Sequence, residues 1–384
     1  MEYIICDITG RTINYDEALC SAIQLRLTQD EKLVFWSQGG HSPKGYLLKR
    51  FRSVVPNKYK NSSKRTVLFL KAFDTICAYT CLLFRFLFKK PRIFHLQWLP
   101  FLSLGVRGAF IDIFFLKLLR RISKSTKFVF TIHNMCPHGM KEEQREGYNV
   151  LFIKALKIFD RYIVHTNQTK LDVCQVFGLD EQKVNIVFHG VFVPEGRDFN
   201  RKKWNRDDVR LIMYGTQNWY KGPDVFVRSL QLVSDRFKPH IHAYICGVVD
   251  KEMQEACKDI NTGVDIKWDN YYLTDEQLYN RIEESDIIIL PYRRISQSGV
   301  LLLALSTKRI IITSNLPTFK ETLDEYDPSL FFESENPKSL AVLIERYMND
   351  EVDRNSVLER LSLLENKYSW KNSASCTINL YRTI

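Results

Sequence analysis

Residues 289–312, ILPYRRISQSGVLLLALSTKRIII, read as an apolar strand, a polar loop with a single glycine, a helix and a second β-branched strand. Strands that are apolar on both faces and joined through a helix are parallel neighbours, since a tight hairpin cannot make that connection. The loop from Arg293 to Gly299 contains no carboxylate. It has the outline of a ligand-binding shelf without the acidic side chains that such shelves often carry.

The same rhythm extends along the chain. VRLIMYG, HIHAYICG, VDIKWD, DIIILPY and RIIITS form one series of short apolar runs between helical patterns, and YIICDI, KLVFWS, RIFHLQW, KFVFTIH, RYIVHT and VNIVFHG form an earlier one. Alternating strands and helices predict parallel sheets covered on both faces. Residues 193–208, VPEGRDFNRKKWNRDD, have no apolar periodicity and separate the two series. The expectation is an α/β chain of two doubly wound, Rossmann-like domains facing a cleft: residues 1–192, a linker at 193–208, and residues 209–369.

Composition fits this plan. The chain has 384 residues, 45% hydrophobic and 26% charged, enough for two ordinary cores and without repeats or low-complexity segments. Nine scattered cysteines without CxxC pairs, and an N-terminal apolar run too short for a signal peptide, point to a reduced, cytoplasmic protein. The net charge of +11 is uneven: residues 1–200 hold 30 Lys and Arg against 17 acids, and residues 201–384 hold 25 against 27. Basic and aromatic residues alternate with apolar runs in RFRSVVPNKYKNSSKR, YTCLLFRFLFKKPR and FLSLGVRGAFIDIFFLKLLRR. Such a pattern suits an anionic membrane surface better than nucleic acid. It equally suits helices that cover a sheet with a solvated basic outer face. Arg85, Arg107 and Asp112 interrupt the long runs, so none offers the roughly 20 clean residues of a spanning helix.

In parallel sheets, ligands gather beyond the carboxyl ends of the strands. The residues there are Thr9 and Gly10 after the first strand, HNMCPHG (133–139) after KFVFTI, and His189 and Gly190 after VNIVF. In the second series they are GTQNWYKG (215–222) and PYRRISQSG (291–299). Gly215 lets a ligand approach the backbone, Lys221 supplies a cation, and the helix that follows Gly222 adds partial positive charge, which together make a phosphate site. His133 and His138, with Asn134 between them, donate and accept hydrogen bonds as polyol recognition requires. They lack the spacing and the acidic third ligand of a metal site.

Taken in this order, TIHNMCPHG, VFHG, YGTQNWYKGPD and ILPYRRISQSGVLLLALS resemble a family 4-type glycosyltransferase of GT-B architecture. Among such enzymes the chain is most similar to those with HNxxPH, YKG and QSG motifs and no paired glutamates. YSW at 368–370, followed by a helix, resembles the way these chains finish, with residues of about 370–384 packing back on the first domain. The resemblance implies transfer of a sugar from a nucleotide-diphosphate donor to an acceptor hydroxyl, without a metal or other cofactor. It implies donor contacts from Gly215, Gln217, Lys221, Ser296, Gln297, Ser298, Gly299, Val300 and Glu321. His133 and Asn134 would sit at the transferred sugar, and Thr9, Gly10, His138, His189 and Gly190 on the acceptor side.

Two positions depart from the family pattern. Thr216 stands where an arginine usually follows the loop glycine, and the E-x7-E pair is replaced by Ser296 or Gln297 and Leu303. Retention of configuration is the family expectation, while Asp7, Asp16 or Glu17 would offer a base to an inverting reaction. The expected partners are a nucleotide sugar, a lipid-linked or saccharide acceptor in surface-polysaccharide synthesis, and the inner face of a membrane. The competing readings are a nucleotide-sugar or nucleic-acid binder without turnover, or a nucleotide-sugar epimerase on the same fold.

Overall fold

The computed structural model describes residues 1–38, 46–51, 64–102, 108–137, 140, 142–192, 198–295, 298–323 and 327–384. Its chain forms two compact units, one of Met1–Gly190 with Trp370–Ile384 and the other of Val191–Ser369.

The first unit is built on a sheet whose seven described strands are all parallel, in the order β3-β2-β1-β4-β5-β6-β7. They are β1 (Glu2–Asp7), β2 (Lys32–Ser37), β3 (Leu47–Arg50), β4 (Ile93–Leu96), β5 (Lys127–Thr131), β6 (Arg161–Val164) and β7 (Val184–Ile186). Every residue of β1 is buried, because the sheet is covered on both sides. Side chains of α2 (Lys64–Phe88), α3 (Ala109–Ile122) and α4 (Glu142–Leu156) form one core with one face of the sheet, including Tyr79, Leu82, Phe86, Leu116 and Phe152. On the other face, α1 (Ile13–Gln24) packs against α13 (Trp370–Thr383), joining Leu19 and Ile23 to Ile378 and Tyr381. Trp370 lies so close to Gly190 that a Cβ there would come within 2.3 Å of the indole. The absent side chain lets α13 settle.

The second unit has six described parallel strands in the order β10-β9-β8-β11-β12-β13. They are β8 (Val209–Tyr214), β9 (Ile241–Cys246), β10 (Asp265–Asp269), β11 (Ile287–Leu290), β12 (Ile310–Ser314) and β13 (Phe331–Phe332). The quoted stretch supplies the end of β11, α9 (Gly299–Leu305) and the start of β12, and β11 pairs directly with β12 through Ile289 and Ile312. Two short strands, β3 and β13, extend the sheets beyond the eleven runs read from sequence.

The segment at 193–208, expected only to connect the domains, is partly built into the second unit. Phe199 is buried, Arg309 Nη1 donates to Asn200 O at 2.7 Å, and Lys202 pairs with Asp286 at 2.8 Å. Among the described residues, no helix is long and apolar enough to cross a membrane.

Candidate functional site

Strand order reverses between β1 and β4 in the first sheet and between β8 and β11 in the second. Doubly wound sheets bind ligands at such reversals. In the second unit, the loops after β8 and β11 are the ones that carry YKG and QSG.

Gly215 follows β8 with φ 89°, a backbone conformation open to glycine and strained for other residues. A Cβ there would lie 2.7 Å from Lys221 Nζ and 3.4 Å from Val300 Cγ2, so the glycine, the lysine and the start of α9 converge on one spot. Lys221 is only 6% exposed, and among the described residues no carboxylate pairs with it. Its ammonium stands 5.7 Å from the centre of the Tyr292 ring. Burial pushes its pKa down to about 8. A buried cation without a counter-ion is unfavourable in the free protein and is complemented by an incoming anion.

The neighbouring groups hold this spot in shape. Gln217 is fully buried and its side-chain nitrogen donates to Gly215 O at 2.7 Å and Cys246 O at 3.2 Å, which fixes the glycine loop. Tyr214 donates from its hydroxyl to Val300 O at 2.9 Å. Ser298 Oγ accepts from Leu301 N at 3.2 Å and caps α9, while Gly299 beside it is exposed. Arg293 grips Asp224 with two bonds of 2.9 and 2.7 Å and donates to Trp219 O at 2.6 Å, so it braces the loop. Arg294 is exposed beside the Trp219 ring, 5.4 Å from its centre. Glu321 lies in α10 (Pro317–Thr322), partly exposed, with its carbonyl accepting from Tyr368 at 3.4 Å. Ser296 and Gln297 lie outside the described residues.

The first unit gathers imidazoles. His133 follows β5, His165 follows β6 and His189 follows β7, with ring centres 5.3 Å apart for the first pair and 5.6 Å for the second. Tyr15 of α1 meets all three edge-on or tilted at 4.7–5.5 Å. His165 Nδ1 donates to Val187 O at 2.8 Å, which leaves its Nε2 as an acceptor facing His133 Nδ1 at 3.4 Å. His133 Nε2 lies 3.0 Å from the side-chain oxygen of Gln97, and Trp98 stacks on its ring at 5.0 Å. Desolvation is the main cause that depresses these imidazoles: His165 to about 4, His189 to about 3, and His133 well below its ordinary value. All three are neutral hydrogen-bonding groups at physiological pH. His133 and Asn134 line a cavity of about 270 Å³ together with Arg11, Trp98, Tyr148 and Phe152.

Thr9 and Gly10 form the turn after β1, where Asp7 accepts from Thr9 N at 3.2 Å and Thr12 N at 3.0 Å. Asp7 and Asp16 are both fully buried. Desolvation and the neighbouring Asp7 charge hold the Asp16 carboxyl well above the usual range. This corrects their expected place as bases for an inverting reaction: neither reaches solvent, and Glu17 alone of the three is partly exposed. His189 Nδ1 donates to Gly190 O at 2.7 Å, and Gly190 is buried beneath Trp370. His138 lies outside the described residues. Tyr15, Trp98, Gln97 and His165 were missed from sequence; His165 was the most legible, as it ends RYIVHT in the same post-strand position as His133.

Residues 195–362, all within the second unit, match the family description "Glycosyl transferases group 1". A glycosyltransferase of Methanocaldococcus jannaschii, itself uncharacterised, is 20% identical over 231 residues, 57% of this chain. The match spans 59% of that relative's length. Sucrose-phosphate synthase of Thermosynechococcus elongatus is similar in structure with a TM-score of 0.70 at 13% identity, covering 100% of this chain and 98% of that one. Anabaena HepE, solved in complex with UDP and glucose, gives a TM-score of 0.65 at 8% identity with 100% of both chains covered. The fold is that of the GT-B glycosyltransferases: two parallel-sheet α/β domains.

Proposed function

We propose that this chain transfers a sugar from a nucleotide-diphosphate donor to the hydroxyl of a lipid-linked or saccharide acceptor, in the cytoplasm, as a step in building a surface polysaccharide. The observation that carries the reading is Lys221, a buried ammonium with no carboxylate partner among the described residues, which converges with Gly215 and Val300 where the strand order reverses. The diphosphate is the anion that complements it. HepE, which shares the fold, holds UDP and glucose.

In this reading Lys221 neutralises the negative charge that grows on the diphosphate as the bond to the sugar breaks. Ser298, Gly299 and Val300 place the start of α9 beside it. Gln217 keeps Gly215 in the conformation that admits the phosphates. His133 and Asn134, in the first unit, offer hydroxyls neutral donors and acceptors, and the acceptor proton passes to the leaving phosphate. No protein carboxylate is required for this step, and the sealed positions of Asp7 and Asp16 favour retention of configuration. The test is calorimetric titration of a panel of nucleotide sugars, followed by product analysis by NMR. One stabilising donor, lost in Lys221→Ala, with the anomeric configuration kept in the product, supports the reading. Equal binding by wild type and Lys221→Ala, or sugar interconversion without acceptor, overturns it.

A further inference from the structure

The helical layer formed by α2 and α3 has an outer surface unlike that of an ordinary sheet-covering helix. A helix on a parallel sheet turns one stripe inward and shows water a polar face. The inward stripe of α2 is present, with Tyr79, Leu82 and Phe86 buried. Its outward stripe is also apolar. Phe69, Phe73, Phe84 and Phe88 are between 49% and 87% exposed, and on α3 Phe110 and Phe114 are 66% and 60% exposed. Each pair is four residues apart, so its two rings share a helix face. The two helices pack together, with Tyr79 stacked on Phe115 at 4.8 Å beneath the exposed rings.

The charges on this layer are one-sided. Residues 64–126 contain twelve Lys and Arg and two acids, Asp74 and Asp112. Both acids are buried, and Asp112 accepts from the Tyr79 hydroxyl at 2.8 Å and from Leu102 N at 2.8 Å. What remains on the surface is cationic: Lys71, Lys90, Lys117 and Arg121 are exposed. Lys117 and Arg121 continue the outer stripe of α3 after Phe110 and Phe114. Lys117 also lines an open hollow of about 660 Å³ with Lys127, Lys157, Arg161 and Lys183, at the amino ends of β5, β6 and β7, where the one side-chain carboxylate among the lining residues, Asp160, is paired with Arg120 at 2.6 Å.

We infer that the outer face of α2 and α3 docks on an anionic lipid bilayer, with the phenylalanines entering the headgroup boundary and the lysines and arginines meeting lipid phosphates. Two features select this occupant over a second copy of the chain. Aromatic rings beside cations match the layered chemistry of an acidic membrane surface. A self-complementary contact would bring this uniformly cationic surface against itself, where like charges repel. The inference goes beyond the transfer reaction and does not depend on it.

The test is cosedimentation of the full-length protein with vesicles of phosphatidylcholine alone and of phosphatidylcholine mixed equally with phosphatidylglycerol. Binding to the anionic vesicles, lost at high salt, is expected. Removal of each contacting cation should weaken it about fivefold, so Lys117→Gln with Arg121→Gln loses roughly twenty-fivefold. Phe84→Ser with Phe88→Ser should weaken binding at least about tenfold with an unchanged melting temperature, since these rings hold no core. Equal partition into neutral and anionic vesicles, or no partition at all, overturns the inference. So does a concentration-dependent dimer in sedimentation velocity that the paired phenylalanine variant dissolves. Lys221→Ala should leave vesicle binding intact, so failure here and failure of the donor reading are separate outcomes.

Discussion

The two units treat their ionisable residues with the same physics and reach opposite charge states. Burial lowers the pKa of both Lys221 and the imidazoles of His133, His165 and His189. Lysine starts so high that Lys221, brought to about 8, still carries its proton at neutral pH. Histidine starts near neutrality, and His165 and His189, at about 4 and about 3, lose theirs. Desolvation therefore yields a cation in one unit and neutral hydrogen-bonding rings in the other. The first suits an anion, the second a hydroxyl.

The sharpest challenge to this contrast is Lys221→Ala, which should reduce affinity for a nucleotide diphosphate by about a hundredfold or more, measured by calorimetry. Next is the pH profile. Donor affinity should fall as pH rises through about 8, by up to about tenfold per unit, because the cation disappears. Stability responds with the opposite sign. The depressed pKa means that the penalty for burying the charge is full below about 8 and is relieved as pH climbs toward the ordinary lysine value of 10.5. Lys221→Met should accordingly raise the melting temperature at pH 7, by an amount corresponding to on the order of 2 kcal/mol.

Gly190→Ala should destabilise the first unit by about 1–3 kcal/mol in denaturant titration, because its Cβ would collide with Trp370. The smallest signal is spectroscopic: proton NMR should find His133, His165 and His189 still neutral at pH 5.5. Their depressed values imply that native stability is lost as pH falls from about 6.5 toward 4, since the unfolded chain takes up protons that the folded one refuses.

Sequence revealed most where the physics is local. The long apolar runs of β1, β8, β11 and β12 announce themselves, and so do the glycine-punctuated loops around Lys221 and Ser298. Phe331–Phe332 is too short to show any period, and Leu47–Arg50 is largely exposed and lacks an apolar pattern, so β13 and β3 stayed hidden. The setting of His133 was also invisible, because Tyr15, Gln97 and Trp98 reach it from distant parts of the chain. Lys221 was legible as a cation near a helix start. That it is buried with no carboxylate beside it among the described residues was not, since burial depends on β11 arriving beside β8. The aromatic outer stripe of α2 was present in the letters, but only the fold separates Phe84 and Phe88 from the inward Phe86.

The return of α13 has a consequence for how this molecule is made. The first unit is completed by Trp370 over Gly190, by Tyr381 against His95 at 2.5 Å, and by Arg382 bound to Glu31. Those partners leave the ribosome only after the whole of residues 191–369 has been synthesised. At roughly 5–20 residues per second the wait is on the order of ten seconds or more. During it, the face of α1 that packs on α13 is without its cover. The unit that begins first in translation is thus completed only after all of the other has been made.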